Sequence, residues 1–389
     1  MKILYQHRTI SKDGQDVHIQ EMVAALRRRG HQVVVVAPPA ANGAAFGSDG
    51  GLLAAVRRRL PKAVAELLEL AYSVPAYRRL YKVWRAEAPD VLYERYSLFF
   101  LPGLWLKAKT GIPYLLEVNS PLRHERQSHG GLANRHLAAW SEGSVWCGAD
   151  RVLPVTHVLA DYLKRANVRH ERISVIPNGI NRERFSSAVD GIEARRELAL
   201  GNRLVLGFTG FIRPWHGLAR VLDVMSAAAG RHDLHFLIIG DGPGRREIEE
   251  KARALGLADR VTLQGVVNRD AVGRYIAAFD VALQPRVVDY ASPLKLFEYM
   301  ALGRAIIAPD QPNIREVLTA EENALLFPEE DDDAFRAALT RLCDDPALRQ
   351  RLGAAAAKTI ESRDFTWDAN AQRVEALAHE LLHERAARA

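Results

Sequence analysis

Short apolar runs alternate along the chain with stretches in which apolar residues recur at helical spacing. Residues 2–5 read as a strand. The polar loop Ser11-Lys12-Asp13-Gly14-Gln15-Asp16 follows, and then Ile19, Met22, Val23 and Leu26 mark one face of a helix that Gly30 should stop. Val33-Val34-Val35-Val36 is a continuous β-branched run, the pattern of a parallel strand covered on both faces. Strand, helix and strand in so short a span make a βαβ unit. Further strands are expected at 91–93, 114–116, 151–153 and 173–176, with helical spacing between them. After the turn Pro177-Asn178-Gly179 the pattern restarts, with strands at 204–208, 235–239, 261–263, 281–283 and 305–308 and a helix over 218–229. The acidic run from Glu329 to Asp333 should open a helix, where carboxylates oppose the positive end of the dipole, and a long mixed helix should run from 367 to about 387. The fold class is therefore α/β, with two doubly wound, Rossmann-like domains in succession, 1–185 and 186–366. Two such domains facing a central cleft would offer a ligand site there.

Candidate chemistry gathers at the carboxyl ends of the expected strands, where ligands meet this kind of fold. Thr209-Gly210-Phe211-Ile212-Arg213-Pro214-Trp215-His216-Gly217 joins a strand to a helix. Arg213 offers a planar fork suited to phosphate oxygens, and His216 could add charge or hydrogen bonds. In Ser292-Pro293-Leu294-Lys295-Leu296-Phe297-Glu298-Tyr299-Met300-Ala301-Leu302-Gly303, Ser292 can cap a helix, Pro293 suits its first position and Gly303 ends it. The free N–H groups at that start suit a diphosphate, and Glu298 could accept hydrogen bonds from a ribose diol. The competing reading is a Lys295–Glu298 pair on a wet helix face. Gly240-Asp241-Gly242-Pro243-Gly244 reads equally as a phosphate loop or as a tight turn. In the first half, Glu117-Val118-Asn119-Ser120-Pro121 and Tyr93-Glu94-Arg95-Tyr96 hold strand-end positions, with an internal ion pair as the alternative for the latter. His379-Glu380-Leu381-Leu382-His383 matches the letters of a zinc-protease helix but has only six residues after it for a third ligand, so no metal is expected there.

In order and spacing these segments resemble the retaining nucleotide-sugar glycosyltransferases of family four, which have the GT-B architecture. The resemblance runs through the Gly14 loop, Arg29-Gly30-His31-Gln32-Val33, Val175-Ile176-Pro177-Asn178-Gly179-Ile180, Gly240-Asp241-Gly242-Pro243, Gln264-Gly265-Val266-Val267, the Ser292–Gly303 segment and Phe365-Thr366-Trp367. It implies that Glu298 holds the donor's ribose and that Leu294 and its neighbours Ser292, Pro293 and Lys295 meet the diphosphate. It implies also that Val266 meets the nucleobase through its backbone, that Gly14 lies in the loop over the donor phosphates, and that Asn119 lies near the reacting sugar with Glu117 beside it. The terminal helix, about 367–389, is implied to pack back on the first domain. Two departures from the family pattern are plain. Tyr290 stands where the first glutamate of E-x7-E would, and in the Gly210 loop His216 stands where a lysine is usual and Phe211 where an arginine is, leaving Arg213 and Lys295 to supply the positive charge. A branch of the family with W-H-G and S-P-x-K-x-x-E-Y-M signatures carries the same pair of changes. The implied activity is metal-independent, retaining hexosyl transfer from a UDP- or GDP-linked sugar to a glycan or lipid-linked acceptor, as in bacterial cell-surface polysaccharide assembly, with no cofactor. A small-molecule acceptor, or a nucleotide-sugar epimerase of the same fold, is the alternative.

Composition narrows this further. The 389 residues are 48% hydrophobic, too many for a disordered chain, and the two cysteines, Cys147 and Cys343, allow no disulfide framework. The start, Met1 to Tyr5 followed by Gln6-His7-Arg8, lacks an export signal's apolar core, and the most apolar stretch, 98–106, is broken by Pro102 and Gly103, so a cytoplasmic location is expected. The formal charge of +6 is accounted for by one segment, in which Arg57, Arg58, Arg59, Lys62, Arg78, Arg79, Lys82 and Arg85 face only Glu66 and Glu69. Interleaved with Leu67, Leu68, Leu70, Tyr72, Tyr77, Leu80, Tyr81 and Trp84, it reads as a basic amphipathic surface for an anionic membrane at its inner face, or as a solvated helix with its apolar side in the core. A nucleic-acid partner is not expected, because the cluster lacks an aromatic strand platform.

Overall fold

The computed structural model describes residues 1–10, 14–39, 60–128, 131–186, 188–228 and 230–387. Ser11, Lys12 and Asp13 of the first loop and Arg57, Arg58 and Arg59 of the basic segment lie outside the described residues. The chain divides into two compact units. One comprises Met1–Pro177, Tyr290–Ser292 and Trp367–Ala389, the other Asn178–Asp289 and Pro293–Thr366. The division after Pro177 falls ahead of the hinge near 185 that the sequence pattern suggests.

The first unit is built on five parallel strands, β1 (Lys2–Gln6), β2 (Gln32–Val36), β3 (Val91–Arg95), β4 (Tyr114–Val118) and β5 (Arg151–Pro154), in the order β2-β1-β3-β4-β5. β3 and β4 are buried at every position, as their unbroken apolar character requires. The stretch 173–176 is not a strand. Ile173 forms a single bridge with Val152, and only the Ser174 and Ile176 N–H groups reach the edge strand, bonding the Val152 and Pro154 carbonyls at 3.0 Å each. β5 ends at Pro154, which leaves no longer ladder to join. The terminal helix Trp367–Ala386 lies along Gly14–Arg28, with Arg28 to Asp368 at 3.0 Å and Arg29 to Glu375 at 2.6 Å. His379 of the zinc-protease-like letters faces Glu375 at 4.0 Å.

The second unit carries six parallel strands, β6 (Leu204–Thr209), β7 (Leu234–Ile239), β8 (Val261–Gly265), β9 (Val281–Leu283), β10 (Ala305–Pro309) and β11 (Leu325–Phe327), in the order β11-β10-β9-β6-β7-β8. β11 is not among the strands expected from the sequence. Asp331 caps the helix Asp332–Asp344 by accepting the Ala334 N–H at 2.8 Å, in line with the acidic run.

In the helices Lys62–Ala71 and Ser73–Glu87 an apolar side does enter the core, through Leu70, Tyr77, Leu80, Tyr81 and Trp84, but Leu67 and Leu68 depart from that expectation. The buried residues of Lys62–Ala71 are Ala65, Glu66 and Glu69, while Val64, Leu67 and Leu68 point outward. Glu66 accepts the N–H groups of Ala133 at 2.7 Å and Asn134 at 2.6 Å, and Glu69 pairs with Arg126 at 2.9 Å. These donors hold the carboxylates inward and leave Leu67 and Leu68 outside.

A further buried acid sits in β3. Glu94 accepts the Tyr114 hydroxyl at 2.8 Å and the Gly103 N–H at 3.1 Å, and burial raises its carboxyl to about 8. An acid whose folded value is raised binds its proton more tightly folded than unfolded. Stability therefore falls as pH rises from the usual carboxylate range toward about 8. Glu94→Gln keeps a neutral group of the same shape, so its melting temperature should exceed wild type by a margin that grows between mildly acid and mildly alkaline pH. A margin constant with pH would contradict this.

Candidate functional site

In the second unit the strand order reverses between β6 and β9, and the loops after these two strands carry the candidate residues. β6 ends at Thr209, whose N–H donates to the Tyr299 hydroxyl at 3.0 Å. That bond ties the strand end to the helix Leu294–Ala301. Next comes Gly210 at φ +124°, and then the loop to Arg213 and the turn Pro214–His216. The loop after β7 approaches it so closely that a Cβ on Gly240 would lie 2.1 Å from the Gly210 carbonyl oxygen, and one on Gly242 2.3 Å from that of Ile212. Gly242 also turns its N–H onto the Asp241 carboxylate at 2.7 Å. The glycine run thus serves as a tight turn that seats the Gly210 loop.

Lys295 does not extend along a wet helix face. Its ammonium lies 3.8 Å from the centre of the Phe208 ring, and 3.2 Å from where a Cβ on Gly210 would stand. Lys295 and Glu298 are both half-buried, and burial pushes each toward its neutral form, Lys295 down to about 7 and Glu298 up to about 7, against their mutual attraction. Arg213 is exposed, with its guanidinium carbon 5.0 Å from the Phe211 ring centre. His216 is buried, and its Nδ1 accepts the Arg213 N–H at 3.2 Å. Burial, with Lys295 and Arg213 nearby, holds the imidazole far below its ordinary value, so it is neutral and positions the Arg213 backbone without supplying charge.

Ser292 is not the helix cap. Pro293, in an extended conformation with φ −69° and ψ 117°, takes that place, and Leu294 is the first helical residue. The proline φ would suit a first helical residue, but the extended ψ puts the cap one residue later than the sequence suggests. Val266 is exposed beyond Gly265, whose carbonyl accepts the Gly240 N–H at 2.8 Å. Tyr290 and Ser292 belong to the first unit, where the Tyr290 hydroxyl donates to Glu125 and its carbonyl accepts from Thr156 at 3.0 Å.

In the first unit, Gly14 begins the helix Gly14–Arg28, and Glu117 and Asn119 sit at the end of β4. Arg95, last residue of β3 and directly opposite Glu117 in register, forms a buried ion pair with it. Asn119 also donates to Glu117, Tyr93 donates at 2.7 Å, and His18 Nδ1 lies 3.3 Å away. Burial works against the Glu117 charge, but the Arg95 guanidinium, with Tyr93 and Asn119 donating to the carboxylate, holds the carboxyl below its ordinary value. His18 itself is lowered to about 4 by burial and is neutral, its ring edge-on to Trp367 with centroids 4.9 Å apart. Arg95 stood within a strand-end segment already singled out. His18 had only its place beside the apolar helix face as a signal. Among the described residues no group of three His, Cys, Asp or Glu side chains is placed to hold a metal ion.

Removing one partner of such a buried pair strands the other. Arg95→Met should cost about 3–5 kcal/mol in urea unfolding, and Arg95→Met with Glu117→Gln should cost clearly less than the sum of the single changes. Additive losses would show that the two side chains act independently.

The comparisons with known proteins agree with this layout. A model described as a glycosyl transferase 4-like domain matches residues 13–179, and one described as glycosyl transferases group 1 matches residues 191–359. The alpha-D-kanosaminyltransferase of Streptomyces kanamyceticus is 26% identical over 64% of this chain and 65% of its own length. The lipopolysaccharide core biosynthesis glycosyltransferase LpsD of Rhizobium meliloti is 33% identical over 40% of this chain and 41% of its own. The alignments thus cover only part of these relatives' lengths. The structure of Anabaena HepE in complex with UDP superposes over 98% of this chain and all of that one, with a TM-score of 0.75 at 18% identity. The two domain matches, one on each parallel sheet, account for most of the sequence, and by them the chain belongs to the glycosyltransferases of the two-domain GT-B type.

Proposed function

We propose that the protein transfers a hexose, with retention, from a UDP- or GDP-linked donor to a glycan or lipid-linked acceptor of cell-surface polysaccharide assembly. The observation that carries the donor half is the Lys295 ammonium set over Gly210, with Arg213 in the same loop, at the strand-order reversal. In this reading Lys295, Arg213 and the start of the helix Leu294–Ala301 take the diphosphate, with Ser292 and Pro293 leading the chain into that helix. Glu298 takes the ribose, the Val266 backbone meets the base, and Gly14 lies near the phosphates. Gly242 and His216 shape the loop. The bond from the anomeric carbon to the diphosphate breaks, and the diphosphate leaves with the electron pair. The acceptor oxygen bonds to the same face of the carbon, and its proton passes to a diphosphate oxygen. Two fixed cations and a helix start stabilise the developing charge, so the reading calls for no divalent ion. Asn119 and Glu117 serve the acceptor side, and Tyr290 replaces a sugar-reading carboxylate. The acceptor and the glycan role are supported by the lipopolysaccharide-core relative, and the UDP donor by the HepE complex.

A small-molecule acceptor is the second reading, favoured by the similarity to a 2-deoxystreptamine N-acetyl-D-glucosaminyltransferase of Streptomyces fradiae and a D-inositol 3-phosphate glycosyltransferase of Thermomonospora curvata. A nucleotide-sugar epimerase would turn donor over without an acceptor. Presentation of a lipid-linked acceptor at the cytoplasmic membrane surface, through the basic segment that ends at Arg85, belongs to the first reading.

The test is a donor screen by thermal stabilisation and turnover, with and without EDTA. Arg213→Ala should lower turnover, and Lys295→Met should weaken UDP or GDP binding by roughly tenfold to a hundredfold, the worth of a charged hydrogen bond. Because burial holds Lys295 near 7, binding at alkaline pH must draw a proton onto it, and affinity should fall as pH rises above that value. Calorimetry in buffers of different ionisation enthalpy reads this uptake, which Lys295→Met should abolish. Full turnover in Arg213→Ala, together with unchanged UDP and GDP binding in Lys295→Met, would overturn the donor assignment.

A further inference from the structure

The outward-facing residues of Lys62–Ala71 continue without interruption onto the next helix, Ser73–Glu87. Tyr72 joins the two in a right-handed helical conformation, φ −60° and ψ −20°. Its N–H reaches the Leu68 carbonyl at 3.0 Å, and its own carbonyl accepts from Ala76 at 3.2 Å. At helical spacing Val64, Leu67, Leu68, Ala71, Val74, Arg78, Lys82 and Arg85 fall on one stripe, an arc of ~120° some 30 Å long, and all are exposed. The opposite side, Ala65, Glu66, Glu69, Ser73, Ala76 and Leu80, is buried.

The composition of this stripe changes along its length. Its first half is aliphatic, with Leu67 and Leu68 more than half exposed at 53% and 55%, and its second half is cationic. It carries no carboxylate, because Glu66 and Glu69 are held inward by Ala133, Asn134 and Arg126. Adjacent exposed leucines on a well-ordered helix are not expected of a surface that meets only water. Aliphatic side chains that can sink below the headgroups, in line with cations that stay among them, match the boundary of an anionic bilayer. A nucleic acid would use the cations and leave the leucines wet.

We propose that this stripe is a membrane-docking element, which lies in the plane of an anionic lipid surface with Val64, Leu67 and Leu68 inserted and Arg78, Lys82 and Arg85 at the phosphates. It deepens the lipid-linked reading of the acceptor, but it is read without donor or acceptor, so either can fail while the other stands.

The experiment is flotation of the full chain with vesicles of phosphatidylcholine alone or mixed with phosphatidylglycerol, at low and high salt. Binding is expected only to the mixed vesicles. It should weaken about fivefold for each of Arg78→Gln and Lys82→Gln, and be lost in Leu67→Asp with Leu68→Asp. These residues are exposed, so circular dichroism and melting temperature should match wild type. In Leu67→Trp the indole emission should shift to the blue with mixed vesicles and be quenched by brominated lipid, the readout of insertion. No binding at low salt would overturn the proposal, as would binding unaffected by the leucine changes. A dimer in sedimentation that the leucine changes dissolve, without vesicle binding, would assign the stripe to a second copy of the chain.

Discussion

The arrangement of the second unit's carboxyl edge rests on one close approach, that of Gly240 to the Gly210 carbonyl. Two loops that leave neighbouring strands of one sheet are pressed together backbone to backbone, where no side chain fits. Because the Gly210 loop is seated there, the Lys295 ammonium can lie above it and against the Phe208 ring, and the chain can turn at Pro214–His216 with the imidazole braced on the Arg213 backbone. A cation kept partly dehydrated beside a bare stretch of backbone is ready to meet an anion at little cost in reorganisation.

The first unit solves a different problem at the same end of its sheet. Its central strands are covered on both faces, yet β3 and β4 finish in Arg95 and Glu117. Register places the two side by side, Tyr93 and Asn119 donate to the carboxylate, and His18 Nδ1 lies 3.2 Å from the Arg95 guanidinium. Every charge there has a partner from another element, which makes the network a rigid floor beneath Asn119.

Much of this was legible in the sequence because the β-branched runs and helix stops are local signals. The parallel strands of both sheets other than β11 follow from them, as do the helices at Ile19–Leu26 and after Asp331. What was not legible depends on partners distant in sequence. Nothing in Lys62–Ala71 reveals that Glu66 will cap a segment beginning at Ala133, and without that knowledge Leu67 and Leu68 are placed on the wrong side. Ser292 has the chemistry of a cap, but the extended ψ of the next residue displaces it. His18 is one of several polar residues on its helix until β3 and β4 bring Arg95 and Glu117 beneath it. The residues of the Gly210 loop were visible from their types alone, whereas the close backbone approach that seats them required the fold.

The terminal helix that covers Gly14–Arg28 gives the chain an order of assembly. On the ribosome the first sheet is synthesised early, but Trp367, which packs edge-on to His18, and Glu375, which holds Arg29, emerge only after the entire second unit. The nascent first unit therefore has one helix uncovered until Asn178–Thr366 has been synthesised. Chains that stop short of residue 367 would leave that same helix face open.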